Sequence, residues 1–348
     1  MLAYLVKRSL LGLFTLLFVS FISYLIVQLP PGDQVDMFLD MVHSRGYGEA
    51  PGRSMIQVEA LRESWGLNRP ILVQWWDWFS GIIFEGDFGY SYAHIDGGSG
   101  GREIGPAIRE DLPFTIYLSI FTILITWVFA IPVGIYSAVR QNTIGDYVFT
   151  FAGFTGLAVP DFLLGLVLMY VFFAYFDHSV GGLFSGDYIT APWSVGRVLD
   201  MLQHLIIPGI VLGTAGTAGL IRVMRNNLLD ELRKPYVVTA TAKGLAGWRV
   251  VLKYPVRVAL NPFISGIGGT LPSLVSGSVI VSIVLSLNTL GPLYLIAIQR
   301  QDAQMAGAII LMLTGLSVIG VIISDILLVV VDPRIKLTGS ARGGGGSV

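Results

Sequence analysis

Long apolar stretches dominate the hydrophobic pattern along this chain. A helix that crosses the hydrocarbon core of a bilayer needs about 20 mostly apolar residues. Stretches of that length lie at about 9–29, 113–138, 146–176, 200–222, 260–287 and 305–331. The pattern therefore predicts an all-α polytopic membrane protein with about six transmembrane helices.

Prolines inside the apolar stretches mark positions where kinks are expected. They are Pro132, Pro160, Pro208 and Pro272. Membrane helices tolerate proline where neighbouring helices satisfy the carbonyl groups that it frees. The third and fifth stretches are also long enough to tilt or to break.

The first stretch follows Lys7 and Arg8, as the apolar region of a signal peptide would. It is longer than such a region, and Pro30-Pro31-Gly32-Asp33 follows it in place of a small-residue cleavage site. We therefore predict that residues 1–29 form an uncleaved first transmembrane helix.

The distribution of Lys and Arg predicts the orientation, because short cytoplasmic loops carry an excess of both. One set of loops and both termini hold most of them: Lys7, Arg8, Arg140, Arg222, Arg225, Arg233, Lys234, Lys243, Arg249, Lys253, Arg257, Arg334, Lys336 and Arg342. The opposite short loops hold only Arg197 and Arg300. Both termini are predicted to be cytoplasmic.

This orientation divides the chain into four parts. Residues 1–29 are the first helix, 30–112 an extracytoplasmic insertion, 113–331 the core transmembrane domain, and 332–348 a cytoplasmic tail whose Gly-rich end has linker composition. The hydrophobic pattern of the insertion predicts one or two amphipathic helices over 55–79. Its tryptophans at 75, 76 and 78 suit an interfacial aromatic belt and the core of a small cap equally well.

The composition argues against several other classes of protein. Only 13% of the residues are charged and the net charge is −1, so nothing indicates a nucleic acid as partner. The chain has no cysteine, and its histidines are scattered, at His43, His94, His178 and His204. We therefore expect no disulfide and no metal site. No H-E-x-x-H motif occurs. The G-x-S-x-G spacing arises only at 97–101, inside the Gly-rich stretch 96–101, which does not link a strand to a helix and lacks the Lys-Ser/Thr of a phosphate-binding loop, so no catalytic residue is expected.

A short, capped helix is predicted after the fourth apolar stretch, at about 235–247. Pro235 suits the first helical position, Lys243 the last turn and Gly244 the left-handed cap position. One face is expected to carry Tyr236, Ala240 and Lys243, and the other Val237, Val238 and Thr241. Such a helix fits docking into a groove of another protein, and it fits a lipid-surface helix or a simple connector equally well.

Small residues recur every four positions in the fifth stretch, at Ser265, Gly269, Ser273 and Gly277. Such ridges allow helix backbones to approach closely in lipid. Three roles remain open for this ridge: tight packing within the chain, a subunit interface, and the wall of a polar pathway.

Two carboxylates, Asp161 and Asp325, lie within or at the edge of apolar stretches. Intramembrane acids are candidates for a functional role. A proton-coupling role is one hypothesis for them, and helix capping or packing is favoured, because neither has an evident Lys or Arg partner in the sequence.

Motifs in order along nearly the whole chain resemble those of ABC importer permeases, more narrowly the dipeptide/oligopeptide/nickel permease family. The segment Tyr236-Val237-Val238-Thr239-Ala240-Thr241-Ala242-Lys243-Gly244-Leu245 is similar to the family's coupling loop. The other similar motifs are Tyr4-Leu5-Val6-Lys7-Arg8, Gly66-Leu67-Asn68-Arg69-Pro70, Gly86-Asp87-Phe88-Gly89-Tyr90-Ser91, Leu112-Pro113-Phe114-Thr115, Pro160-Asp161-Phe162 and Asp332-Pro333-Arg334-Ile335.

This resemblance implies a pore-forming, non-enzymatic subunit of an ATP-driven importer in a bacterial or archaeal inner membrane. Its implied partners are a second homologous permease subunit, two ATPase subunits that bind ATP and Mg, and an extracytoplasmic solute-binding protein. The implied solute is a peptide, with opines, oligosaccharides and nickel as alternatives. The implied ATPase-coupling residues are Tyr236, Thr239, Ala240, Lys243, Gly244 and Leu245. The competing hypothesis is an ion-coupled secondary transporter that works without ATPase subunits.

Overall fold

The computed structural model describes residues 2–29, 32–33, 35–36, 38–39, 55–91, 102–176 and 181–331. Most of these residues are helical. The helices are α1 Leu2–Val27, α2 Met55–Ser64, α3 Ile71–Ser80, α4 Ile104–Val139, α5 Ile144–Ala158, α6 Asp161–Phe176, α7 Val195–His204, α8 Ile206–Leu232, α9 Pro235–Ala242, α10 Gly247–Lys253, α11 Pro255–Ala259, α12 Asn261–Val284, α13 Leu290–Gln299 and α14 Ala303–Val331. A π-helical turn, Gly81–Glu85, follows α3, and a single-turn 3-10 helix covers Gly186–Tyr188. The strands β1 Tyr90–Ser91 and β2 Arg102–Glu103 pair antiparallel, with Tyr90 opposite Glu103.

Several helices are long and apolar enough to cross a membrane. Among the described residues these are α1, α4, α8 and α14, and α5 with α6 add a fifth if that bent pair is one span. In the most apolar 18-residue segment of each of the four helices, only 28–39% is buried inside the chain. Most of their apolar side chains therefore face outward. α12 covers the fifth predicted stretch with 24 residues, about 36 Å at roughly 1.5 Å per residue.

The third predicted stretch is two helices instead of one. α5 ends at Ala158 and α6 begins at Asp161, and the two axes differ by 100°. Val159 is extended at φ −85° and ψ 124°, the conformation that a following proline favours. Pro160 therefore breaks the span, whereas α4 and α12 continue through Pro132 and Pro272, and Pro208 lies in the first turn of α8, where proline is tolerated.

Two helix boundaries differ from the apolar stretches because packing, not hydropathy, sets them. α4 begins at Ile104 instead of 113, since Ile104 is fully buried in a core. α8 begins at Ile206 and runs on to Leu232, past the predicted end at 222. Its polar second half is held by Met224 and Leu228, which are both fully buried.

One compact unit comprises residues 13–116 and 288–315. Its core joins side chains of α1, α3, α4, α13 and α14. Trp75 and Trp78 are buried in this core, and the Trp75 indole N–H donates to Ser20 Oγ at 3.2 Å. Trp76 is 51% exposed. Trp75 and Trp78 thus belong to the core of this unit, as one of the two predictions has it, and the interfacial aromatic belt stays a prediction.

A buried carboxylate holds the short sheet of this unit against the start of α14. Asp302 is 1% exposed, accepts a hydrogen bond from the Ser91 hydroxyl, and accepts another from the Met305 backbone N–H at 2.9 Å. Gly89, at φ +79°, lies where an added Cβ would meet the Gln304 side-chain amide at 2.5 Å. The Gly-x-Ser spacing therefore allows β1 to approach α14 closely.

The buried Asp302 should make this unit less stable as the pH rises. Burial raises the pKa of Asp302 above the ordinary value of about 3.9, although its hydrogen bonds oppose the shift. A raised folded-state pKa gives stability that is fully present below the unfolded value and is lost as the pH rises through the folded value. Thermal unfolding in detergent should show this decline above about pH 4, and Asp302→Asn should remove it. An equal slope in both proteins would contradict the prediction.

The other compact unit comprises residues 1–12, 117–287 and 316–348, of which 332–348, the predicted tail, lie outside the described residues. α8 lies at its centre and packs against α5, α6, α7, α11 and α12. Two close approaches are marked by glycine. A Cβ added at Gly134 of α4 would lie 2.5 Å from Met224 Cβ, and one added at Gly209 of α8 would lie 2.9 Å from the Phe121 ring.

A charge pair links α5 to α8 in this unit. Arg225 donates to both carboxylate oxygens of Asp146, at 3.1 and 2.9 Å. The Asp146 side chain is 4% exposed and the Arg225 side chain 23%. The Asn142 backbone N–H adds a hydrogen bond at 3.0 Å. The carboxylate is therefore well satisfied only while Arg225 is present.

Arg225→Gln should destabilise the purified chain by about 2 kcal/mol. Removing one partner of a buried pair costs about 3–5 kcal/mol, and the partial exposure of Arg225 reduces that figure. Arg222→Gln is the matched control, because Arg222 lies one turn earlier and stacks on the Phe154 ring at 4.8 Å without a carboxylate partner among the described residues. Denaturant unfolding of Arg225→Gln, Asp146→Asn and the double variant should show a less than additive loss.

Candidate coupling surface and intramembrane groove

The helix α9 has the caps that the sequence predicts. Pro235 occupies the first turn, and Gly244 follows the helix at φ +76°, in the left-handed region. The Gly244 N–H donates to the Thr241 carbonyl at 2.9 Å. The Tyr236 hydroxyl donates to Glu231 at the end of α8, which fixes the start of α9 to that helix.

The predicted bounds of 235–247 are wrong, because two helices share this segment. α9 ends at Ala242, and α10 begins at Gly247 after a turn. The two pack on each other through Val237, Ala240 and Val250, with Tyr236 and Tyr254 at the edge. The stiff element is therefore a helix pair.

The predicted faces of α9 also need correction. Val237 and Ala240 lie three positions apart, so they share the buried face, whereas Val238 is 63% exposed. Thr239 is exposed, and its hydroxyl donates to the Pro235 carbonyl at 2.9 Å.

The exposed surface of α9 and α10, which we call the coupling surface, combines apolar and basic side chains. Its apolar members are Val238, Leu245, Trp248 and Leu252. Its basic members are Lys243, Arg249 and Lys253. The Arg249 guanidinium lies 5.2 Å from the centre of the Trp248 ring. Sequence patterns did not single out Trp248 or Leu252, although a tryptophan in a short basic loop could have indicated a contact surface.

The small-residue ridge of α12 is exposed and makes no tight contact with the described part of the chain. Ser265, Gly269, Ser273 and Gly277 are all exposed. A Cβ added at Gly269 or Gly277 would meet nothing within 4 Å. Tight packing within the chain, one of the hypotheses left open above, is therefore excluded for these four positions.

The tight contact of α12 uses the neighbouring face instead. A Cβ added at Gly268 would lie 2.8 Å from the backbone N and Cα of Val321 in α14. Hydroxyl groups of α14 support the contact, because Ser317 donates to the Gly268 carbonyl at 3.0 Å and Ser324 to the Ile264 carbonyl at 2.6 Å.

A groove of about 320 Å³ lies beside the exposed ridge. Asp161 lines it where α6 begins, together with residues of α4, α8 and α12. Ser273 and Gly277 of the ridge belong to the lining. The structure thus brings one intramembrane acid and half of the predicted ridge to one place.

The prediction that Asp325 lacks an evident basic partner is wrong. The Arg8 Nε lies 3.2 Å from Asp325 Oδ2, and the Tyr4 hydroxyl donates to the same oxygen at 3.1 Å. Both partners lie in α1, at the opposite end of the sequence, so sequence proximity could not indicate them. An ion-paired carboxylate of this kind fits a structural link between α1 and α14.

Three of the four histidines behind the prediction of no metal site lie outside the described residues. His43, His94 and His178 lie there, as does the Gly-rich stretch 96–101. His204 is packed, with Nδ1 2.9 Å from the Asp200 carbonyl oxygen. Within the described ranges no three His, Asp or Glu residues form a group that could hold a metal ion.

Comparison with known families covers both halves of the chain. Residues 130–337 match the family described as binding-protein-dependent transport system inner membrane component. Residues 1–119 match the N-terminal region of the membrane component of the same transport systems.

Curated relatives match over nearly the full length. An oligopeptide transport system permease protein, AppB, of Bacillus subtilis is 34% identical over 336 residues, 97% of this chain and 100% of that protein. A putative peptide permease protein of Brucella ovis is 32% identical, over 97% of this chain and 100% of its own. A probable D,D-dipeptide transport system permease protein, DdpB, of Escherichia coli is 29% identical, over 94% of each chain.

The outward-facing apolar helices define a multi-pass helical membrane protein. The chain belongs to the binding-protein-dependent transport system inner membrane component family, and is therefore a permease subunit of an ABC importer in the inner membrane. Hydrolysis of ATP is the task of a separate subunit in such systems. Family membership favours this function over the ion-coupled secondary transporter.

Proposed function

We propose that this chain forms one half of the pore of an ATP-driven importer for peptides. The coupling surface carries the proposal, because a stiff helix pair with exposed apolar and basic side chains suits docking to another protein. The names of the relatives above support peptides as the solute class. Opines, oligosaccharides and nickel remain the alternative solutes.

The proposed topology has six spans and two cytoplasmic termini. It rests on the bias of Lys and Arg toward one set of loops and on the length of α12, which supplies the span between α8 and α14. In this orientation the coupling surface faces the cytoplasm, where ATPase subunits are, in a bacterial or archaeal cell. Residues 55–91 face the other side, where a solute-binding protein delivers its ligand.

The proposed mechanism is alternating access. Two ATPase subunits bind ATP and Mg, close on each other, and move the α9–α10 pair through contacts at Thr239, Lys243, Gly244 and Leu245. Tyr236 and Ala240, the other two residues expected to contact the ATPase, pack inside the helix pair and support it from within. α8 transmits the movement, since the Tyr236–Glu231 hydrogen bond ties α9 to its end. The exposed ridge of α12 then contacts a second permease subunit or lines the solute pathway.

Purification from the native membrane tests the proposal. We expect two ATPase subunits and a second permease subunit to co-purify, and we expect ATP-dependent peptide uptake when the complex and its binding protein are reconstituted in proteoliposomes. Uptake driven by a proton gradient with this chain alone would contradict the proposal. The ligand retained by the binding protein identifies the solute.

A further inference from the structure

The intramembrane groove contains a carboxylate that has no counter-charge among the described residues. Asp161 lines the groove at the first position of α6, beyond the 100° bend that follows Pro160. No hydrogen bond or ion pair joins it to any residue in the described part of the chain. This distinguishes it from Asp325 and Asp146, whose arginine partners are in place.

The lining around Asp161 is mostly apolar and includes four hydroxyl-bearing residues. They are Thr122, Thr126, Thr270 and Ser273. Thr122 is 2% exposed, and its hydroxyl has no hydrogen-bond partner among the described residues, an arrangement that costs free energy. The Thr270 and Ser273 hydroxyls donate to carbonyl groups of α12, and their oxygens remain able to accept hydrogen bonds.

Helix capping explains only part of this arrangement. A carboxylate in the first turn of a helix is stabilised by the helix dipole. The cost of placing a charged group within a membrane span is larger than that gain. A cationic group in the groove would offset this cost, and hydroxyl oxygens would accept its remaining hydrogen bonds.

We propose that the groove is a binding subsite for a primary ammonium group of the solute, which for a peptide is the amino terminus. This subsite rests on the proposed function above. Asp161 supplies the negative charge, and the hydroxyl oxygens of Thr270 and Ser273 accept hydrogen bonds. The small side chains of Ser273 and Gly277 leave room for the chain that follows the ammonium group.

Thiol labelling tests the charge of the groove without any transport measurement. The chain has no cysteine, so Ser273→Cys introduces a single thiol into the lining. In proteoliposomes carrying the assembled complex, its reaction rates with trimethylammonioethyl methanethiosulfonate and sulfonatoethyl methanethiosulfonate are compared. Adding Asp161→Asn should lower the ratio of cationic to anionic rate by about tenfold, equivalent to about 1.4 kcal/mol. Asp187→Asn, an acid in an exposed loop of the same unit, should leave the ratio unchanged.

An unchanged ratio with Asp161→Asn would overturn the proposal, because the groove would then carry no effective negative charge. A thiol that reacts with neither reagent would overturn it too, since the groove would be sealed by a partner subunit. Thr270→Cys serves in the same way if Ser273→Cys does not assemble.

Uptake of two matched peptides tests the ligand. One has a free amino terminus and the other an acetylated one, and both are supplied with the same binding protein. Asp161→Asn should reduce the preference for the free terminus by about tenfold relative to wild type, and Asp161→Glu should restore most of it. An equal loss for both peptides would show a structural role and overturn the subsite. If the wild-type complex takes up neither peptide, the proposed function fails, while the labelling ratio still decides whether the groove prefers cations.

Discussion

Gly244→Asp is expected to abolish ATP hydrolysis stimulated by the binding protein while leaving membrane insertion and folding intact. Gly244 is exposed, and a side chain added there would meet nothing within 4 Å. Its φ of +76° costs a non-glycine residue about 1–2 kcal/mol, and less for Asp, which tolerates this region. The chain should therefore fold, and the defect should appear only when a partner docks.

The expected size of that defect follows from the coupling surface. Lys243, Arg249 and Lys253 make this surface basic, and the acid would introduce a charge that no partner has evolved to meet. An unpaired charge in an interface costs about 2–5 kcal/mol or more, which is a loss of about 30-fold to several thousand-fold in affinity. Stimulated hydrolysis would then fall to the basal rate.

Gly244→Asn is the matched control, because it has the same shape and the same tolerance of the left-handed region without the charge. We expect it to keep a substantial part of the stimulated rate. The assay measures ATP hydrolysis by the reconstituted complex with and without loaded binding protein, after gel filtration has confirmed an assembled complex. Normal stimulation in the Asp variant would count against docking at Gly244.

The parts of the fold that the sequence predicts well are those that lipid determines locally. A bilayer requires a continuous apolar helix of fixed minimum length, so α1 covers all but the last two residues of the stretch at 9–29, and the stretch at 305–331 lies within α14. The caps of α9 are local as well, since Pro235 and Gly244 act through their own backbone dihedrals.

The parts that were missed depend on contacts between distant residues. The second half of α8 is polar in sequence, and only the burial of Met224 and Leu228 holds it. In the sequence Arg8 contributes only to the predicted membrane orientation, although in the structure it forms an ion pair with Asp325. A charge pair between ends of a chain leaves no local pattern, because its geometry exists only after the helices have packed.

The ridge of α12 shows what a periodic sequence pattern can predict and what it cannot. A period of four places Ser265, Gly269, Ser273 and Gly277 on one face, and their shared exposure agrees with that placement. The same period cannot tell an inward face from an outward one. Gly268 and Gly269 are neighbours of the same type, yet a Cβ added at Gly268 would clash with α14, whereas a Cβ added at Gly269 would meet nothing within 4 Å.

Gly268→Ala is therefore expected to destabilise the chain by at least about 3 kcal/mol. Overpacking a tight contact costs typically about 1–3 kcal/mol, and here the added methyl would meet the backbone N and Cα of Val321 at 2.8 Å. A backbone cannot rotate out of the way as a side chain can. α12 and α14 would have to separate, which would also lengthen the Ser317 and Ser324 hydrogen bonds.

Gly269→Ala, one position along the same helix, should be neutral or should stabilise the purified chain by about 0.5–1 kcal/mol, because alanine is the better helix former. Unfolding of the two variants in detergent measures the difference, which should be about 3–4 kcal/mol on these figures. Equal stabilities would show that α12 and α14 are not in tight contact at Gly268. If Gly269→Ala leaves the isolated chain stable and yet reduces uptake by the complex, the exposed ridge must touch something outside this chain, since nothing inside it is near enough to be disturbed.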